Sequence, residues 1–166
     1  PTAGLFTSSS PEDRRVGAKD FRDTDSPKFK VVYVVLESQY QSSMSAAVRE
    51  INDQASGTGI KCECVGYLLE ELRDPANVAA FEKDLAEANV FVGSLIFVQE
   101  LADIVTEKVA AQRDRLDAVV VFPSMPEVMR LNKLGSFTMA SLGQSKSIVS
   151  DFMKQKKKED GSSFEE

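Results

Sequence analysis

The stretch KVVYVVL, Lys30 to Leu36, decides how the rest of the chain is read. A β-branched run with no polar alternation leaves no face for water. It is the pattern of a central parallel strand covered on both sides. Downstream, Met44, Val48, Ile51 and Ala55 recur at spacings of three and four, predicting a helix. SGTG, Ser56 to Gly59, stops that helix. In IKCECVGY, Ile60, Cys62 and Cys64 face one way and Lys61 and Glu63 the other, as on an edge strand.

Asp74-Pro75 supplies an N-cap followed by proline at the first helical position. The helix it opens carries Val78, Phe81, Leu85 and Ala88 on one face. NVFVGS is a third strand; Val98, Leu101, Val105 and Val109 mark a third helix; DAVVVF is a fourth strand. Fourfold strand-helix alternation predicts an α/β, three-layer, flavodoxin-like parallel sheet of about four strands with flanking helices. The expected strand order is 2-1-3-4, with strand two at one edge. Strand four is apolar on both faces although it lies at the other edge. Its cover is expected from the segment after Phe122, or from a domain outside this chain.

The domain plan follows. Residues 1–28 are polar and aperiodic and read as a flexible arm. Residues 29–153 form the α/β domain, closing with a short helix from Pro126 to Lys133 and another from Ser141 to Lys157. Residues 154–166 read as a charged linker toward missing downstream domains. The first residue is Pro1, so the chain is expected to be a processed or cut piece.

Composition narrows the chemistry. The 166 residues are 42% hydrophobic and 28% charged, which fits one globular domain. A net charge of −6 argues against a nucleic-acid partner, and no apolar run is long enough for a transmembrane segment. Histidine is absent, removing the commonest general base and the commonest transition-metal ligand. Magnesium, which takes carboxylates and water, is not excluded on that ground. Neither G-x-G-x-x-G nor G-x-x-x-x-G-K-[ST] occurs. No residue is assigned as catalytic or as a metal ligand. Cys62 and Cys64, on one strand, are too far apart for a disulfide and read as small core residues, with a thiol redox site as the other reading.

Two candidate sites remain. Doubly wound sheets bind ligands beyond the carboxyl ends of their strands. Glu37, Ser38, Ser94 and Ser124 stand there as a strand-end pocket; hydroxyls beside helix N-termini hold anions or simply cap the helices. For Glu37, capping backbone amides or pairing with an arginine is the favoured role, with Glu127 as the acid able to approach it. The second candidate is FPSMPEVMRLNKLGSF, Phe122 to Phe137, with Met125, Met129, Arg130, Lys133 and Phe137 as contact residues. From Arg130 to Lys158 only Asp151 opposes seven basic residues. Adaptable methionines under a basic rim suit an interdomain contact or a flat apolar anion such as a porphyrin. Alternatively, the methionines close the domain's own core over strand four.

VVYVVLESQYQSS, VGYLLEELRD, GSLIFVQELAD, RDRLDAVVVFPSMPEVMRLNKLGSF and LGQSKS closely resemble the N-terminal domain of the large, porphyrin-binding (H) subunit of magnesium chelatase, of plant or algal type. A cobalt chelatase subunit is a more distant relative. The resemblance covers Lys30 to Met153 and implies a ligase complex that inserts Mg²⁺ into protoporphyrin IX on the way to chlorophyll. It implies three sets of partners: the rest of the H subunit, AAA+ motor subunits that use ATP, and a porphyrin-binding accessory protein. It further implies a chloroplast location, in the stroma or peripheral at membranes, or a cytoplasmic one in a cyanobacterium. The full family chain is several times longer, and its metal-insertion portion lies downstream. This domain is therefore expected to be non-catalytic and to bind no cofactor itself.

Overall fold

The computed structural model describes residues 14–17, 28–54 and 61–139, less the side chains of Tyr40 and Gln54. Strand β1 is Arg15–Val16 and β2 is Lys28–Val35, followed by helix α1, Gln39–Gln54. Strand β3, Lys61–Leu68, leads through a 3₁₀ turn, Leu69–Arg73, into α2, Pro75–Glu87. Then come β4 (Val90–Gly93), α3 (Gln99–Gln112), β5 (Ala118–Val121), α4 (Pro126–Met129), β6 (Lys133–Leu134) and β7 (Phe137–Thr138).

The sheet order is β1-β3-β2-β4-β5-β6-β7, with β3-β2-β4-β5 parallel. Those four strands reproduce the expected order 2-1-3-4 within a three-layer α/β fold. The strand count is seven rather than about four, because three two-residue strands flank the parallel set. One of them corrects the expected edge. β1, drawn from the stretch read as an arm, pairs antiparallel with β3 through Arg15↔Val65 and Val16↔Cys64. At the other end β6 pairs antiparallel with β5, so the segment after Phe122 does cover strand four.

The valine run behaves as its pattern requires. Val32 and Val34 are buried in the layer of α2 and α3, while Tyr33 and Val35 are buried in the layer of α1. On α2, Asp74 caps the first turn by accepting from the Ala76 N–H at 2.9 Å. Phe81 meets Tyr67 and Phe91 edge-on, at 5.3 and 6.2 Å between ring centroids. Leu101, Val105 and Val109 of α3 are buried in the same core.

Two local readings are corrected. Ile51, expected on the inner stripe of α1, is exposed. The reason is its neighbour Asn52, whose amide donates to the Cys62 carbonyl at 2.9 Å and accepts from the Cys62 N–H at 2.8 Å. That paired bond fixes the rotation of the helix about its axis. The helix expected from Pro126 to Lys133 ends at Met129. Asn132 folds back onto β5, accepting from the Val121 N–H at 2.8 Å and donating to the Val121 carbonyl at 3.1 Å. The chain then extends as β6, and Gly135, at φ +59°, makes the turn into β7. The expected helix from Ser141 to Lys157 and the linker lie outside the described residues.

Candidate functional site: the carboxyl edge of the sheet

The loops after β4 and β5 are stitched into one ledge. The Leu95 N–H donates to the Pro123 carbonyl at 3.1 Å, and the Met125 N–H to the Ile96 carbonyl at 2.9 Å. Ser124 accepts from the Ile96 N–H at 3.1 Å and donates to the Phe122 carbonyl at 2.9 Å. Leu95 sits at φ +58°, a conformation that costs a non-glycine residue about 1–2 kcal/mol. The turn plunges Ile96 into the core, fully buried, and leaves its neighbour Phe97 outside. Phe97 is 57% exposed, Phe122 53% and Leu36 40%. Three large apolar side chains thus rim the carboxyl ends of β4, β5 and β2.

The four strand-end residues have separate roles. Ser124 braces the ledge. Ser94 holds the loop through its N–H, which donates to the Val34 carbonyl at 3.1 Å. Ser38 is exposed, and its carbonyl starts α1 by accepting from the Gln41 N–H at 3.0 Å. Glu37 is exposed and accepts from Gln39 at 2.8 Å. Glu127 is engaged elsewhere, accepting from Gln99 at 2.7 Å, which ties α4 to α3. Its own backbone N–H, and then Gln99, hold the Glu127 carboxyl below the usual carboxylate range. A shallow depression lined by Arg73, Glu100, Leu101 and Ile104 includes none of the four. Among the described residues no group of three or more His, Cys, Asp or Glu side chains could hold a metal ion.

The five contact residues also separate. Met125 and Met129 are half-buried and pack on the main core. Arg130 is exposed. Lys133 points the other way: its ammonium donates to the carbonyls of Arg113, Asp114 and Leu116 at 3.0, 3.3 and 2.8 Å, closing the C-terminus of α3. Phe137 pairs with Leu134, which pairs with Ala118 at the start of β5. Phe122 follows the end of β5. The segment Phe122–Phe137 therefore spans both ends of that strand rather than forming one patch.

A cluster of buried charges was missed by sequence reasoning. Asp84, buried on α2, accepts from Tyr67 at 2.6 Å, from Lys30 at 3.0 Å and from Arg15 at 2.8 and 2.9 Å. Burial pushes its carboxyl up, but the bonds from Tyr67, Arg15 and Lys30 more than reverse this and leave it lowered. Arg14 lies over the Tyr67 ring at 4.6 Å and donates to Asn77 at 3.2 Å. The sequence signal was a carboxylate three residues after Phe81, inside the apolar stripe of α2. Cys62 and Cys64 are free and buried; burial pushes both thiols up, Cys64 to about 12.

Taken together, the topology and the ledge define a doubly wound α/β domain with an apolar carboxyl edge. Residues 30–166 match the family model described as "Domain of unknown function (DUF3479)". The chain belongs to this family, which is the N-terminal domain of the magnesium-chelatase H subunit. It is similar to the chloroplastic magnesium-chelatase subunit ChlH of Oryza sativa subsp. indica, at 59% identity over 161 residues, which is 95% of this chain and 12% of that relative. The subspecies japonica protein gives the same figures. The magnesium-chelatase H subunit of Rhodobacter capsulatus is 35% identical over 66 residues, 40% of this chain and 6% of that protein. The chain thus spans 12% of the length of its rice relatives.

Proposed function

We propose that this chain is the N-terminal domain of a chloroplast magnesium-chelatase H subunit and that it works by docking. In this reading the complete enzyme inserts Mg²⁺ into protoporphyrin IX for chlorophyll, while AAA+ partner subunits hydrolyse ATP and a porphyrin-binding accessory protein stimulates the complex. The domain packs its carboxyl edge against the remainder of the larger chain and thereby shapes or gates the porphyrin site. The observation that carries this is the ledge itself: Phe97 and Phe122 stand exposed on loops cross-linked through Ser124 and held at Leu95, and Leu36 stands exposed at the end of β2. Apolar side chains presented on a braced scaffold suit a contact surface, since little ordering entropy remains to be lost on binding.

The test uses the assembled chelatase. Phe97→Asp with Phe122→Asp should lower porphyrin metallation by about tenfold or more, as expected for truncated anchor residues, with ATP hydrolysis by the partner subunits retained. Equal loss of both activities, or no loss of either, would refute docking through this edge. A second reading, a porphyrin-binding module, is favoured by exposed Arg130 beside half-buried Met129. Fluorescence quenching of a soluble protoporphyrin analogue, saturable and weakened by Arg130→Ala, would support it over docking.

A further inference from the structure

Leucine is a poor choice for the backbone at position 95. Its φ of +58° lies in the left-handed region, which glycine and asparagine enter readily. A leucine there has its Cβ too close to the following carbonyl oxygen. The hydrogen bonding of the turn does not explain the choice. The Leu95 N–H that donates to the Pro123 carbonyl at 3.1 Å belongs to the backbone, and glycine or asparagine would supply it equally. Core packing does not explain it either. Val98 and Met125 are partly buried against the main core, whereas Leu95, also partly exposed, belongs to neither core cluster. Among the described residues its side chain therefore has no core packing to set against the strain.

Backbone strain of this kind gathers where a protein binds or switches. Leu95 stands inside the ledge, between Ser94 and buried Ile96 and two residues before exposed Phe97. Its amide is tied to the loop that begins at exposed Phe122. We propose that the Leu95 side chain is an anchor of the docking edge, seated in an apolar recess on the remainder of the larger chain, of which these residues span 12% in the rice relatives. This rests on the docking reading and adds to it a side chain that the fold itself does not need. The recess belongs to a protein surface, because carboxylates flank the position. Glu37 follows Leu36, and Glu127 is held by Gln99, two residues beyond Phe97. They would repel the propionates of a porphyrin and attract arginine or lysine placed around an apolar recess.

Leu95→Asn and Leu95→Gly separate the need of the fold from that of the partner. In the 166-residue chain both should keep the wild-type urea midpoint or raise it by up to about 0.5 M, since the turn is relieved and no core contact is lost. In the assembled chelatase both should lower porphyrin metallation by about fivefold or more. A midpoint that falls would show the leucine working inside the domain, and unchanged metallation would show that nothing outside grips it. Either result overturns the proposal. Phe97→Asp with Phe122→Asp tells this failure from that of the docking itself. If that pair lowers metallation and the Leu95 variants do not, only the anchor falls; if none of them does, the docking reading falls with it. Photo-cross-linking gives a readout besides activity. Benzoylphenylalanine at position 95 of the complete subunit should link to a peptide beyond residue 166. Links only within residues 1–166, links to porphyrin, or no links would overturn the anchor.

Discussion

Replacing Asp84 with asparagine removes one charge from the buried cluster and almost no volume. Three contacts change. The Tyr67 hydroxyl, 2.6 Å from the carboxylate, passes from a charge-assisted bond to a neutral one, a loss of about 1 kcal/mol. Lys30 is buried and keeps only Glu87, at 3.1 Å, whose own side chain is exposed. Leaving that ammonium under-compensated costs about 2 kcal/mol, below the full penalty for an unpaired buried ion. The Arg15 side chain is a third exposed and recovers water, so it adds little. The sum is about 3 kcal/mol, a large share of the 5–15 kcal/mol typical of a domain. In urea, followed by circular dichroism, the midpoint should fall by about 1.5 M. The loss should also depend on pH. Because the folded Asp84 carboxyl is lowered, its contribution is full above about pH 4, the ordinary carboxylate value, and vanishes as pH falls through the lowered one. Wild type and Asp84→Asn should therefore converge in acid. Lys30→Met in the Asp84→Asn background should restore part of the stability, since a buried pair replaced together costs less than one broken. A loss under about 1 kcal/mol, or additivity of the two changes within about 0.5 kcal/mol, would refute the pairing.

Three further outcomes are expected. Lys133→Ala should destabilise the chain by about 1–2 kcal/mol in the same urea assay, because three carbonyls at the end of α3 lose their cation; Arg130→Ala should stay within about 0.5 kcal/mol. Equal effects would mean that Lys133 points to solvent. Gly66→Ala should cost about 1–3 kcal/mol, since the new Cβ would lie 2.2 Å from the Tyr33 ring, and a thermal melt matching wild type would show that the ring yields freely. Cys62 and Cys64 should resist a thiol-exchange reagent at pH 8 in the native chain and react at once in urea, as buried thiols raised well above neutrality do; fast native reaction would restore the redox reading.

The parallel core was legible because its signals are long. A β2 whose last five residues show no polar alternation, and helices α2 and α3 whose apolar stripes are interrupted only by Asp84, state their layer and their order. The flanking strands are two residues each, too short to carry a period, so β1 read as arm, the first residue of β6 as the end of a helix, and β7 was not seen. Met125 and Met129 encouraged the helical reading by their spacing, and what ends the helix is the long-range bond of Asn132 to Val121. The candidate site divides similarly. That strand ends would carry exposed loops followed from topology, and Phe122 was visible at the end of a strand. Phe97 emerged only through the backbone turn at Leu95, which no residue type at that position announces. Lys133 could be seen as basic, but its partner is the terminus of a helix some twenty residues earlier in the chain.

Asn132 also settles how this sheet meets other sheets. A parallel strand at a border bares a row of amides and carbonyls that will accept any passing chain, and β5 would be such a border. Its first two residues are taken by β6, and Val121 is satisfied by one side chain, which answers both its N–H and its C=O. The protein thereby withholds a template for fibril growth without spending a full strand on it. Protection that rests on one amide is also vulnerable, and loss of Asn132 would convert a silent border into an adhesive one before it disturbed the core.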